Sequence, residues 1–273
     1  MEKVVYESAE GKQLAIREKV LRYRYLDDAF MSVALNDKET IKVVLDIIME
    51  RELRIISVQA QDTVANLYGR GVRFDVFAED ADGIVYDIEI QRASDGANPK
   101  RARFNAAMLD SRSLNKGVDY KNLPQTVIIF ITETDTLGDK LPIQHFHVTS
   151  DETGKRLRTG QEIIYVDSSC QADTPLGNLM HDFRCRDAKD IKNKALAERM
   201  EKLKNNETEV THMCQVMEEY GITQRTEGRI EGKVADVRML MRKMRLSMDE
   251  VFDLLEVPNE ERAEYRALLA NQN

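Results

Sequence analysis

Two neighbouring stretches alternate apolar and polar residues with a period of two, and only a β-strand turns that period into two distinct faces. In Val72-Arg73-Phe74-Asp75-Val76-Phe77-Ala78, residues Val72, Phe74, Val76 and Ala78 share one face and Arg73, Asp75 and Phe77 the other. In Ile84-Val85-Tyr86-Asp87-Ile88-Glu89-Ile90-Gln91, residues Ile84, Tyr86, Ile88 and Ile90 form the apolar face, with Asp87, Glu89 and Gln91 opposite. The turn-forming run Asp80-Ala81-Asp82-Gly83 between them predicts an antiparallel hairpin. A turn centred on Asp82 sets Asp75 across from Glu89, with Gln91 about 7 Å further along the same face. A slip of one residue would send the two carboxylates to opposite sides of the sheet.

Converged carboxylates repel one another and need a counter-charge. Mg²⁺ supplies one, because it binds through one or two carboxylates, waters and substrate phosphate oxygens, and Mn²⁺ is able to substitute. Such an ion polarises a phosphoryl oxygen, acidifies water and stabilises a leaving oxygen, which suits phosphodiester hydrolysis. The same alternation also describes a solvated strand face on which Asp75 pairs with Arg73 or Arg92.

The flanking sequence predicts an α/β core. A helix is expected over residues 36–51, with Ile41, Val44, Leu45 and Ile48 on its buried side and Asn36 and Glu39 as its start signal. Leu53 to Val58 reads as a strand. Asn98-Pro99 opens a helix to about Asn115, with Phe104, Ala107, Met108 and Ser111 along one side. Val127 to Ile131 is wholly apolar, as in the middle of a sheet, and residues 143–148 and 162–166 suggest an added hairpin. From about Asp187 no proline occurs until Pro258, and charged residues alternate with Ala, Leu and Met in helical stretches. Ser247-Met248-Asp249-Glu250 is a capping-box signal. The expected organisation is a core over 20–186, a helical extension packing on it over 187–225, and a C-terminal helical region over 226–273 serving oligomerisation or docking.

Composition limits the function classes. With 42% hydrophobic and 32% charged residues the chain can bury a core and keep a solvated surface. A net charge of −8 argues against a uniformly basic nucleic-acid binder but leaves the local field of a cleft open. Cys170, Cys185 and Cys214 lack paired spacing, which points away from a disulfide framework and towards a reducing compartment. Met1-Glu2-Lys3-Val4-Val5 lacks a leader's apolar stretch, and no run approaches a membrane span, so a cytoplasmic protein is expected.

Arg73-Phe74-Asp75 followed by Tyr86-Asp87-Ile88-Glu89-Ile90-Gln91 resembles the PD-(D/E)XK nuclease family transposases, the Rpn-like recombination-promoting nucleases of bacteria. Leu26-Asp27-Asp28-Ala29-Phe30-Met31, Lys100-Arg101-Ala102-Arg103-Phe104, Gly117-Val118-Asp119-Tyr120, Leu123-Pro124, Val127-Ile128-Ile129-Phe130-Ile131-Thr132 and Leu179-Met180-His181-Asp182-Phe183 extend the likeness over residues 20–220. The resemblance implies a restriction-endonuclease-like αβββαβ core with a mixed sheet and a Mg²⁺-dependent DNA endonuclease activity. It assigns metal binding to Asp75 and Glu89, with the Ile90 carbonyl as a further ligand and Asp28 as an additional acidic group. Gln91 stands where the wider superfamily has lysine, and Phe74 where it has proline. A neutral amide cannot stabilise developing negative charge as an ammonium does, although it orients water by hydrogen bonds.

Residues 92–121 carry seven basic residues (Arg92, Lys100, Arg101, Arg103, Arg112, Lys116, Lys121) against Asp95, Asp110 and Asp119, a local charge of about +4 suited to phosphate. Lys100, Arg101 and Arg103 are the expected DNA contacts. Histidines 145 and 147, His181 with Cys185, and His212 with Cys214 lack a full set of metal ligands and read as structural or surface groups. The Met239–Met244 stretch reads as a packing or self-association seam, so a homo-oligomer through the C-terminal helices is expected. The alternative to a nuclease is a catalytically weak or inactive protein of the same fold that binds nucleic acid or serves assembly. A transposase that joins ends is a third reading.

Overall fold

A computed structural model describes residues 9–64, 72–92 and 94–270. Met1 to Val5, read above for a leader, lies outside the described residues. The chain opens with α1 (Ala9–Arg22), α2 (Asp28–Ala34) and α3 (Lys38–Ile48), followed by strands β1 (Ile55–Val64), β2 (Val72–Asp80) and β3 (Val85–Gln91). Helix α4 (Pro99–Ser113) leads into β4 (Thr126–Thr132), then β5 (Ile143–Phe146) and β6 (Gln161–Asp167). Helices α5 (Pro175–Arg184), α6 (Lys194–Asn205), α7 (Glu207–Met244), α8 (Met248–Leu254) and α9 (Asn259–Ala270) complete it.

The strands form one mixed six-stranded sheet in the order β1-β2-β3-β4-β6-β5. β1, β2 and β3 are antiparallel neighbours, β3, β4 and β6 run parallel, and β5 returns antiparallel to β6. Helix α4 makes the crossover that a parallel β3–β4 pair requires. This is the αβββαβ restriction-endonuclease-like core, with a helical C-terminal region beyond it.

Local chemistry explains the hairpin. Buried Asp80 accepts from the backbone N–H of Asp82 and Ile84 at 2.9 Å each and from the Tyr86 hydroxyl at 2.8 Å. Gly83 takes φ +77°, a left-handed conformation that costs glycine little. The register then pairs Val76 with Ile88, Phe77 with Asp87 and Ala78 with Tyr86, so its continuation sets Asp75 across from Glu89.

Several expectations shift. Helix α3 starts two residues later and ends three residues earlier than expected, and Asp37 rather than Asn36 caps it, accepting from the Thr40 N–H at 2.9 Å. The first strand runs to Val64, beyond the apolar stretch, because it pairs with β2 along almost its whole length. The buried side of α4 is Ala102, Asn105, Ala106, Met108 and Leu109, while Ala107 and Ser111 are exposed. The polar Asn105 belongs inside because it finds polar partners there, which apolar periodicity cannot register. The β5–β6 pair is no mere appendage: β6 lies against β4 in a parallel register from Thr126–Gln161 to Thr132–Asp167.

The chain divides into two compact units, the first ending at Val216 and the second running from Met217. In the first, α2 contacts β1, β2 and β3, and α6 packs on α2 and α3. Tyr25 stacks on Phe183 at 5.3 Å and meets Phe30 edge-on at 5.6 Å. In the second, Val234 and Val237 of α7, Val251 and Phe252 of α8, and Tyr265 and Leu269 of α9 close a separate apolar cluster with Val257. Ser247 and Glu250 form the reciprocal capping box at the start of α8. Of the methionine stretch, Met241 packs against that cluster, while Met239 and Met244 are exposed.

Candidate active site

Strand β3 is buried on both faces, which the alternation alone does not reveal. Asp87 and Glu89 are as inaccessible as Ile88 and Ile90, each 0% exposed. Helix α4 packs over β4 and β2, and its Ala102, Ala106 and Leu109 share an apolar cluster with Ile128, Phe130 and Tyr165. Parallel pairing sets Ile128 beside Asp87 and Phe130 beside Glu89, so the carboxylates enter the interior at the margin of that cluster.

Buried carboxylates need partners, and α4 provides two. The Asn105 amide donates to Asp87 Oδ2 at 3.0 Å and to Glu89 Oε1 at 3.3 Å. Arg101 Nη2 donates to Glu89 Oε2 in a salt bridge. Its other terminal nitrogen donates to the Gly96 carbonyl at 3.3 Å, and the guanidinium lies 6.0 Å from the centre of the Phe130 ring. Gln91 Nε2 also donates to Glu89 Oε2, at 3.4 Å. The Ile90 N–H donates to Asp75 Oδ2 at 3.4 Å, which ties the two strands of the hairpin together at the site.

Gly96 makes the arrangement possible. A Cβ there would stand 1.9 Å from Gln91 Oε1 and 2.9 Å from Gln91 Cδ. The absent side chain leaves the volume that the Gln91 amide fills.

The electrostatics follow from crowding. Burial pushes the Asp75 carboxyl well above its usual range, and the charges of Glu89 and Asp28 push it further, against the pull of Arg101. Burial raises Glu89 to about 8, with Asp87 and Asp28 adding to the rise and Arg101 opposing it. Asp87 also rises to about 8, chiefly by burial, although the Asn105 hydrogen bond favours its ionised form. Asp87 Oδ1 is buried without a hydrogen-bond partner. Arg101 thus pulls against the crowding of three acidic groups, Asp75 on β2 and Asp87 and Glu89 on β3.

Of the residues picked out in the sequence, Asp75, Glu89, Gln91, Asp28 and Arg101 act on one another here, while Lys100 and Arg103 are exposed on α4. Arg92 pairs with Asp27 at 3.1 Å and Glu133 at 3.0 Å rather than with Asp75. Sequence reasoning gave no role to Asp87 or Asn105. Asp87 was visible as a third polar residue on the Glu89 face, but nothing local marked Asn105 as its partner.

Crowded carboxylate oxygens of this kind are the donor chemistry of a hard divalent cation. Asp75 and Glu89 are the residues that could hold such an ion.

Other candidate metal groups have structural partners. His181, Asp182 and Cys185 lie within 4.8 Å of one another. Both Asp182 oxygens accept backbone N–H groups, of Lys192 and Asn193 at 2.8 Å each, which fixes the following loop to α5. His145 and His147 both reach Glu162 Oε1, at 3.0 and 3.4 Å, a third group that the sequence spacing did not reveal.

A family model described as PD-(D/E)XK nuclease family transposase matches residues 30–173. That span contains β1 to β6 with α3 and α4, and every member of the cluster except Asp28. No curated protein and no solved structure matches.

Proposed function

The chain belongs to the PD-(D/E)XK nuclease family transposases, and from that premise we propose that it is a Mg²⁺-dependent DNA endonuclease of the Rpn-like type. The observation that carries this reading is the crowding of half-buried Asp75 with fully buried Glu89 and Asp87, which raises all three carboxyls against the pull of Arg101. Asp75 and Glu89 would hold the ion, and the carbonyl of Ile90, next in sequence to Glu89, would add a further oxygen. When bound, the ion supplies Lewis acidity to a phosphate oxygen and makes water a stronger nucleophile near neutral pH.

The remaining work belongs to the chain's own groups. Gln91, lodged against Gly96 and hydrogen-bonded to Glu89, offers an amide oxygen and an N–H that orient the attacking water. Exposed Lys100 and Arg103 hold the DNA backbone beside the site. Attack at phosphorus breaks the bond to the 3′-oxygen, leaving a 5′-phosphate and a 3′-hydroxyl, the polarity that the family implies.

Gln91 favours a second reading, a protein of this fold that binds DNA and cleaves slowly or not at all, because no ammonium stands at its position. An end-labelled duplex incubated with the purified chain separates the readings. Cleavage to 5′-phosphate ends in Mg²⁺, abolished by EDTA and in Asp75→Ala, supports hydrolysis. Salt-sensitive binding without cleavage in Mg²⁺ or Mn²⁺ supports the second reading, and strand-joined products would replace hydrolysis with transfer.

A further inference from the structure

The Arg101 guanidinium does what neither Lys100 nor Arg103 does, although all three lie on the first turns of α4. It turns inward, places Nη2 on Glu89 Oε2 and Nη1 on the Gly96 carbonyl, and rests over Phe130. Its side chain nevertheless keeps 38% of its exposure, whereas Glu89 has none. Arg101 thus spans the cluster from the accessible surface to the buried carboxylate.

Glu89 Oε1 is engaged by Asn105, and Oε2 by Arg101 and Gln91. Any cation that takes Glu89 Oε2 meets a like charge already bonded to that atom. Two positive charges on one buried oxygen are unfavourable at such short range, and the longer, more exposed partner is the one free to leave. An arginine stem swings its head by several ångströms through rotamer changes alone. The planar fork then matches two oxygens of a phosphate as well as it matches a carboxylate.

Resting on the nuclease reading above, we propose that Arg101 is an exchangeable cation of the active site, occupying Glu89 Oε2 until a divalent ion takes that carboxylate and then binding the scissile phosphate. The positive charge missing at Gln91 is therefore delivered from α4 rather than from β3. Asn105 stays on Glu89 Oε1 and Asp87 throughout, keeping the carboxylate aimed while its counter-ion changes.

Arginine side-chain NMR on the full chain tests the exchange without relying on turnover. The Arg101 signal is identified by its loss in Arg101→Lys, and the Ile90 amide, bonded to Asp75, reports ion binding at the same site. The expected result is that Mg²⁺ shifts the Ile90 amide and frees the Arg101 guanidinium to rotate rapidly. A short duplex added in Ca²⁺ then slows that rotation again. If Ile90 shifts and Arg101 keeps its restricted rotation at saturating Mg²⁺, the exchange is overturned and the nuclease reading stands. If Mg²⁺ leaves Ile90 unmoved, the nuclease reading fails and the exchange with it. Release by Mg²⁺ without recapture by the duplex overturns the phosphate contact.

Discussion

At the scale of single residues, Glu89 concentrates the chemistry. It is a fully buried carboxylate held by one arginine, one asparagine and one glutamine, with Asp75, Asp87 and Asp28 crowding it. Between its ordinary value of 4.5 and about 8, the folded chain keeps a proton on Glu89 that the unfolded chain has released. Binding more protons when folded makes stability fall as pH rises through that window. Urea midpoints of the ion-free protein should therefore drop from about pH 5 to about pH 8, and Glu89→Gln should flatten the decline. A slope unchanged in that variant would contradict the assignment. Gly96→Ala separates positioning from folding, because the added methyl collides with the Gln91 amide rather than with backbone. Its thermal midpoint should stay close to that of the parent, while cleavage falls about tenfold, equivalent to ~1.4 kcal/mol of transition-state stabilisation.

At the scale of elements, the hairpin was the most legible part of the chain. Period-two alternation and the Asp80–Gly83 turn chemistry together define β2, β3 and the register that sets Asp75 across from Glu89. The α/β class followed from the same elements and from the apolar residues 127–131 of β4, and the αβββαβ arrangement from the family resemblance. What stayed hidden is what depends on distant segments. The inward side of α4 escaped detection because Asn105 is polar, and its reason for burial lies 16 and 18 residues away on β3. The role of β6 escaped because a strand's neighbours are not encoded in its own pattern. The Asp37 cap and the extension of β1 to Val64 show how pairing and capping move boundaries. Lys204 on α6 illustrates the same limit. Its buried ammonium donates to the carbonyls of Leu21, Tyr23 and Arg186, pinning α6 to the end of α1 and to the connections after α1 and α5, and burial lowers it to about 8. Lys204→Met leaves three acceptors without that donor and should cost about 2–4 kcal/mol in chemical denaturation. A loss below the error of such a measurement would remove the pin from the account.

At the scale of the whole molecule, the chain comprises a nuclease-fold unit and a smaller helical unit with its own apolar core. No helix among the described residues is long and apolar enough to cross a membrane. Phe252 is fully buried in the second core, so Phe252→Ala should destabilise that unit by about 3–5 kcal/mol. Ion binding at Asp75 and Glu89 should persist, since neither residue draws on that core, and calorimetric titration with Mg²⁺ checks this. We assign self-association or docking to the C-terminal helices, and sedimentation of the intact chain beside a Met239→Lys, Met244→Lys variant measures it. The central claim is that one carboxylate on β3 makes phosphodiester cleavage depend on a divalent ion. Nicking of supercoiled plasmid, followed against Mg²⁺ concentration for the parent chain and Glu89→Gln, tests it most directly. The account predicts saturable, EDTA-sensitive nicking by the parent and none by the folded variant. Equal nicking by both, or nicking that persists in EDTA, would contradict it.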